Sequence, residues 1–221
     1  MVPGVSDSRC ALVTGGTGRV GSAVVARLEA DGFRVLAAGR RDGDLSAARA
    51  AAAVVARAVE ELGRLDLVVQ AASDGFEPRP VEDVREDDWD AAFGATAKGS
   101  FFVAQAAAPH LRASVLGLLV LIEDVAAYQP WPSFAPHCAA KAAQAMLTRV
   151  LARALAPDVR VCGIAPGPVA VDPDQEERRA AETLLKRTGS PEDVAEAVAY
   201  LVRAPFVTGT SLVVDGGRLL T

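Results

Sequence analysis

Apolar residues along this chain fall into two alternating kinds of run. Short, mostly apolar stretches occur at Cys10–Thr14, 34–39, 65–71, Leu118–Ile122, 159–164 and 211–215. They lack the strict in–out alternation of a half-exposed strand and have the character of strands covered on both faces. Between them, residues 20–31, 46–62, 97–111, 136–156 and Pro191–Arg203 carry apolar positions at helical spacing. Strands alternating with helices of this length predict a parallel, doubly wound α/β sheet with helices on both sides. The last helix has a readable start, with Ser190 as cap, Pro191 in the first turn and Asp193 closing a capping box. No internal repeat and no linker divides the pattern, so residues 1–221 are expected to form one domain.

Composition changes this picture little. A formal net charge of −5 with no Lys/Arg run argues against nucleic acid as a partner, and small-molecule chemistry fits better. Cys10, Cys138 and Cys162 are odd in number and lack metal-ligand spacing, so reduced, buried thiols, no metal and a cytoplasmic location are expected. The first nine residues have neither the basic start nor the apolar core of a signal peptide, and no segment is long and apolar enough to span a membrane.

Candidate chemistry begins at residues 11–21, Ala-Leu-Val-Thr-Gly-Gly-Thr-Gly-Arg-Val-Gly, where a strand runs into a glycine-rich turn and then a helix. Gly15, Gly16, Gly18 and Gly21 let the backbone turn tightly against a pyrophosphate, whose charge meets free N–H groups and the positive end of the helix dipole. With strand before and helix after, the pattern predicts a Rossmann-like nucleotide site. At the end of the second strand, Gly39-Arg40-Arg41 offers two guanidinium groups where an acid would select a free ribose 2′-hydroxyl, so NADPH is the expected cofactor. The plain alternative is a solvated pair neutralised by Asp42 and Asp44. The Pro-rich acidic stretch 167–177 reads as an excursion over a ligand site or as an ordinary surface loop.

Further motifs make the resemblance specific: Arg64-Leu-Asp-Leu-Val-Val-Gln-Ala-Ala-Ser73, Lys141 in a helix, Ala165-Pro-Gly167 and Val214-Asp-Gly-Gly217. Together with the glycine turn they resemble a short-chain dehydrogenase/reductase over nearly the whole chain. Within that superfamily the chain is most similar to the bacterial pteridine reductase-like group, through Arg19, Ala72-Ser73, residues 101–111 and residues 205–210. The resemblance implies cofactor contacts from Gly15, Thr17, Gly18, Arg19, Val20, Gly21, Arg40, Arg41, Asp44, Ala72, Lys141, Pro166 and Gly167. It places Asp44 at the adenine edge, and it places substrate near Arg19, Ser73, Phe101 and Tyr128. Superfamily members also carry a further helix and edge strand after the second strand, which the short link 42–46 omits here. The sheet is therefore expected to lack one edge strand and its helix, leaving the second strand as an edge that needs covering.

The catalytic set departs from the superfamily pattern. Lys141 is present, but His137 occupies the tyrosine position four residues earlier, Asp124 stands at the serine position and Thr96 at the asparagine position. A cation beside a tyrosine favours phenolate, whereas a cation beside a histidine disfavours the imidazolium that would be the acid. Asp124 is expected to reverse this by pairing with His137 and orienting the ring. Tyr128 is either a substitute donor or a packing residue, and Arg19 either touches ligand or is an exposed helix residue. Three readings follow. The first is an NADPH-dependent reductase of a small carbonyl or imine, pterin-like, using Asp124, His137 and Lys141. The second is a repurposed acid–base enzyme catalysing isomerisation, dehydration or cyclisation. The third is a catalytically silent nucleotide-binding protein. Wide alanine-rich faces on the helices 98–111 and 136–156 and the tail 207–220 imply, by the same resemblance, a homodimer or homotetramer. His110, beside Pro109, reads as a helix-terminal packing residue.

Overall fold

β1 (Cys10–Thr14) is buried along its whole length and pairs in parallel with β2 (Arg34–Ala38) on one side and β3 (Leu67–Gln70) on the other. β4 (Leu118–Ile122), β5 (Arg160–Pro166) and β6 (Ser211–Val214) continue the sheet in the order β2-β1-β3-β4-β5-β6, every pairing parallel. The computed structural model describes residues 8–73, 75 and 77–221; most of the N-terminal stretch inspected for a leader lies outside them. Among the described residues no helix is long and apolar enough to cross a membrane.

Successive strand residues point to opposite faces, and each face has its own core. Ala11, Val13, Val69, Val120 and Ile164 pack against Val24 and Leu28 of α1 (Arg19–Ala30) and Val194, Val198 and Leu201 of α7 (Pro191–Arg203). Leu12, Val68, Leu119, Leu121 and Val161 pack against α2 (Ala48–Leu62), α4 (Gly99–Arg112) and α5 (Ala135–Leu155) through Val54, Val55, Val103, Leu111, Leu151 and Leu155. Covering on both sides explains why the strands read as continuous apolar runs.

Two helices carry no apolar stripe and were not expected: α3 (Glu86–Phe93) and α6 (Glu176–Ala181), neither of which buries a residue. α3 continues through a wide turn at Gly94–Lys98, with the backbone pattern of a π-helix, into α4. Here burial resumes, with Ala95, Thr96 and Ala97 nearly inaccessible. At the far end, the Asp193 carboxylate accepts the Ser190 N–H at 2.9 Å, as the capping signal predicts.

The short link after β2 is closed locally. Asp42 accepts the Gly39 N–H at 2.7 Å and pairs with Arg57 of α2. Arg34, on the edge strand, donates to the carbonyls of Glu61 and Leu62 at the end of α2. The three cysteines are free; Cys10 and Cys162 are buried, whereas Cys138 is only partly so, because it lies at the start of α5 beside the 129–131 loop. Burial pushes the Cys162 thiol up to about 11, which keeps it protonated at neutral pH.

Asp66 ties the lower edge of the sheet together. Its 1% exposed carboxylate accepts the Cys10 N–H at 2.8 Å, the Ser114 hydroxyl at 2.5 Å and the Arg64 guanidinium at 2.5 Å. Burial alone would raise this carboxyl, but those hydrogen bonds outweigh it and hold it below the usual carboxylate range. Asp66→Ala is expected to cost about 2 kcal/mol in denaturant unfolding, since the buried Cys10 N–H and the part-buried Ser114 hydroxyl lose their acceptor and the more exposed Arg64 loses its partner. The Asp66 contribution is present above the ordinary carboxylate pKa and is lost as pH falls through the depressed one. An unchanged midpoint for the variant at neutral pH would show that Asp66 holds nothing together.

Candidate active site

The glycine turn lies where backbone must approach backbone. Gly15 has φ +66°, and a Cβ there would sit 2.7 Å from the Ala71 and Ala72 main chain at the end of β3. At Gly21, inside the first turn of α1, a Cβ would run into the Gly15 carbonyl. The space beside Gly18 is more open: a Cβ there would meet only the Gly15 oxygen, at 3.3 Å. Gly18 is the cap of α1, which has no side-chain cap and no acid in its first turn. Among the described residues, then, no side chain caps the positive end of this helix and no acid in its first turn offsets it. Thr17 lies against Gly39 at the end of β2, and exposed Arg40 and Arg41 follow directly.

The acids near that arginine pair already have other partners. Asp42 is held by Gly39 and Arg57, and Asp44 accepts the Ser46 hydroxyl at 2.6 Å and the Ser46 N–H at 2.9 Å. The Ser46 hydroxyl, then its N–H, hold the Asp44 carboxyl below its ordinary range.

A cavity of about 960 Å³ opens at the carboxyl ends of β3, β4 and β5. Arg19, Val20, Ser73, Asp124, His137, Lys141, Pro166 and Gly167, all expected from the sequence to form the site, line this one space. Residues 167–172 form part of its wall, in keeping with the excursion read from their composition. Arg19 reaches across to Asp172 of that segment at 2.9 Å.

At the base, His137 and Lys141 stand one turn apart on α5, and both are buried. His137 Nε2 lies 3.3 Å from Asp124 Oδ2, while Asp124 Oδ1 accepts the Ala126 N–H at 2.8 Å, which fixes the carboxylate. Lys141 Nζ donates to the Ile122 carbonyl at 3.0 Å, the Glu123 carbonyl at 3.3 Å and Gln144 Oε1 at 3.2 Å. Gln144 in turn donates to the Ser100 hydroxyl at 2.8 Å, and Ser100 to the Thr96 carbonyl at 2.5 Å. Lys141 is thus linked to the wide turn that holds Thr96. Burial pushes the Lys141 ammonium down from its ordinary value, and the charges of Asp124 and Glu123 oppose that shift.

Two residues expected near substrate are placed elsewhere. Phe101 sits on α4, edge-on to Phe102 and outside the cavity lining. Tyr128 also lies outside the lining and donates its hydroxyl to Glu123 Oε2 at 3.1 Å. Tyr128 ends the helical turn Val125–Ala127, which Asp124 caps, and its hydroxyl lies by Glu123 and by Ser211 of β6. Glu123 itself escaped the sequence reading: it is 2% exposed, accepts from Thr148 at 2.6 Å, and occupies the room left by Gly163. Its place at the carboxyl end of a buried strand was the one available signal.

The family model described as Enoyl-(Acyl carrier protein) reductase matches residues 15–218, nearly the whole of this architecture. The chain belongs to the short-chain dehydrogenase/reductase superfamily. This dehydrogenase/reductase is 34% identical to the Streptomyces violaceoruber protein named "Granaticin polyketide synthase putative ketoacyl reductase 2", with all of both chains covered. The 3-ketoacyl-(acyl-carrier-protein) reductase of Brucella melitensis, solved with NADH, superposes with a TM-score of 0.90 at 25% identity, covering 96% of this chain and 98% of that one. A small-chain dehydrogenase solved with NADPH gives 0.87 at 26% identity, covering 97% and 100%.

The glycine geometry carries its own test. Gly21→Ala is expected to destabilise this dehydrogenase/reductase by about 2 kcal/mol, because α1 must move off the Gly15 turn, whereas Gly18→Ala is expected to cost much less. Thermal unfolding of the two variants compares them directly, and equal losses would contradict this packing.

Proposed function

We propose that this chain is an NADPH-dependent oxidoreductase that reduces a small carbonyl or imine of pterin-like type, with His137 standing where the superfamily carries tyrosine. The observation that carries the reading is the convergence of Asp124, His137 and Lys141 on one cavity that also reaches the uncapped start of α1. The residues present fit the cofactor. Gly15 and Gly21 let the turn pack backbone against backbone, and the start of α1 beside the more open Gly18, with no side-chain cap and no acid in its first turn, suits a pyrophosphate. Arg40 and Arg41 supply the charge a 2′-phosphate requires, and Asp42 is engaged with Gly39 and Arg57.

When bound, NADPH supplies the hydride that adds to the electrophilic carbon. Negative charge then grows on the substrate oxygen or nitrogen, and His137 delivers a proton to it. Asp124 lies 3.3 Å from His137 Nε2 and orients the ring, and the carboxylate is itself held by the Ala126 N–H. Lys141, whose three donors are taken by two main-chain carbonyls and Gln144, would hold the nicotinamide ribose by exchanging one of these bonds for a ribose hydroxyl, and it would supply positive charge near the reacting group. The pterin-like substrate class is supported by the resemblance through Arg19, Ala72-Ser73 and residues 101–111 and 205–210. Cytoplasmic self-association belongs to the same reading: exposed Phe101 on α4 and Met146 and Val150 on α5 suit a homodimer contact, and the segment 207–220 a second one completing a tetramer.

Fluorescence titration, following Trp131 in the cavity wall, is expected to show NADPH binding about tenfold or more tighter than NADH, with the preference lost in Arg40→Ser/Arg41→Ser. His137→Ala is expected to lower kcat for NADPH oxidation about 100-fold or more, and Asp124→Asn to shift its pH profile. Binding of neither nucleotide would sink the proposal. Substrate conversion without NADPH consumption would instead transfer the Asp124–His137 pair to isomerisation, dehydration or cyclisation.

A further inference from the structure

One wall of the cavity gathers three guanidinium groups around a single carboxylate, an arrangement that reduction by itself does not require. Glu182, directly after α6, is the shared partner of three guanidinium groups: Arg178 at 3.7 Å, Arg179 at 3.2 Å and Arg218 at 3.3 Å. All four residues line the cavity. Glu176 and Glu177, in the first turn of α6, lie outside the cavity lining, and among the described residues no second carboxylate lies within 4 Å of these guanidinium groups, so on the lining itself three positive groups share one negative one. The nearby Arg19 does not depend on it, having Asp172 at 2.9 Å. The surplus is partly withdrawn from water: the side chains of Arg218 and Arg179 are 16% and 29% exposed, against 62% for Arg178. Partly buried guanidinium groups attract an anion more strongly than solvated surface charges do, and their planar forks match the oxygens of an oxyacid.

We propose that Arg178, Arg179 and Arg218 form a subsite for an anionic group, carboxylate or phosphate, carried on the substrate away from its reacting carbon. The inference rests on the reductase reading for the statement that the cavity takes a carbonyl substrate, and it adds that this substrate is an acid. Glu182 holds the three arginines in the free protein, and an incoming oxyanion shares them. The two charge systems are then separate: Asp124, His137 and Lys141 act on the reacting end, and the α6 wall selects the tail.

The test uses the full chain with linear keto acids, from levulinate upward, each compared with its own methyl ester. Quenching of Trp131, which lines the same cavity, reads binding, and NADPH consumption reads turnover. At least one chain length is expected to bind about tenfold tighter as acid than as ester, an advantage falling towards one in Arg178→Gln/Arg179→Gln. Glu182→Gln removes the competing carboxylate while keeping an acceptor, so it is expected to raise the acid-to-ester ratio; a merely structural Glu182 would lower it or leave it alone. A ratio near one at every chain length in the unaltered protein overturns the proposal. So does an arginine variant that loses NADPH affinity with its acid-to-ester ratio unchanged, since those arginines would then serve the cofactor. Acid-selective binding without any NADPH consumption supports the subsite and removes the reduction reading instead.

Discussion

Lys141 is an ammonium group shut away from water, and its need for acceptors organises the site. A buried cation is tolerated only where oxygens replace its hydration shell, and here they come from the Ile122 and Glu123 carbonyls at the end of β4 and from Gln144 on its own helix. Those bonds clamp α5 over the end of β4. Because His137 stands one turn earlier on α5, and Asp124 follows directly after the two carbonyls, the same clamp brings imidazole and carboxylate to 3.3 Å. The relay through Gln144 and Ser100 extends it to Thr96, so that three separate elements are held by one charge.

The nucleotide end of the site rests on the opposite device, the absence of side chains. Gly15 and Gly21 let the turn, the end of β3 and the first turn of α1 approach to main-chain contact. Where the base of the cavity is stabilised by filling a buried charge's coordination, this end is shaped by leaving space and uncapped N–H groups. The cavity at the base extends to Arg19 and Val20 at the start of α1, directly after the glycine turn, because all the strands are parallel and every carboxyl end opens to the same side.

Much of this was legible in the chain. The six strands appear within one or two residues of their apolar runs, since strands covered on both faces leave an unbroken hydrophobic record. Pro191–Arg203 appears with the bounds its capping residues signal. The short link at 42–46 correctly announced β2 as the sheet edge, but not the way Arg34 reaches from it to the end of α2. α3 and α6 left no trace, because a helix that buries nothing has no apolar period to read. Phe101 and Tyr128 were assigned by the motifs around them, and motif position says nothing about which way a side chain turns. Tyr128 ends the turn that Asp124 caps, with its hydroxyl on Glu123.

The sequence by itself determined the sheet, the glycine turn and the presence of Asp124, His137 and Lys141 at positions that a parallel fold brings to one end. These follow from hydrophobic period and local backbone freedom, which are properties of neighbours in the chain. Only the tertiary structure decided that Asp42 is engaged by Gly39 and by Arg57 of α2, that Glu123 is a buried carboxylate, and that Arg178, Arg179 and Arg218 share a single Glu182. Charge balance inside a cavity depends on which distant side chains meet there, and Arg218 reaches Glu182 only because the C-terminal turn packs back beside α6.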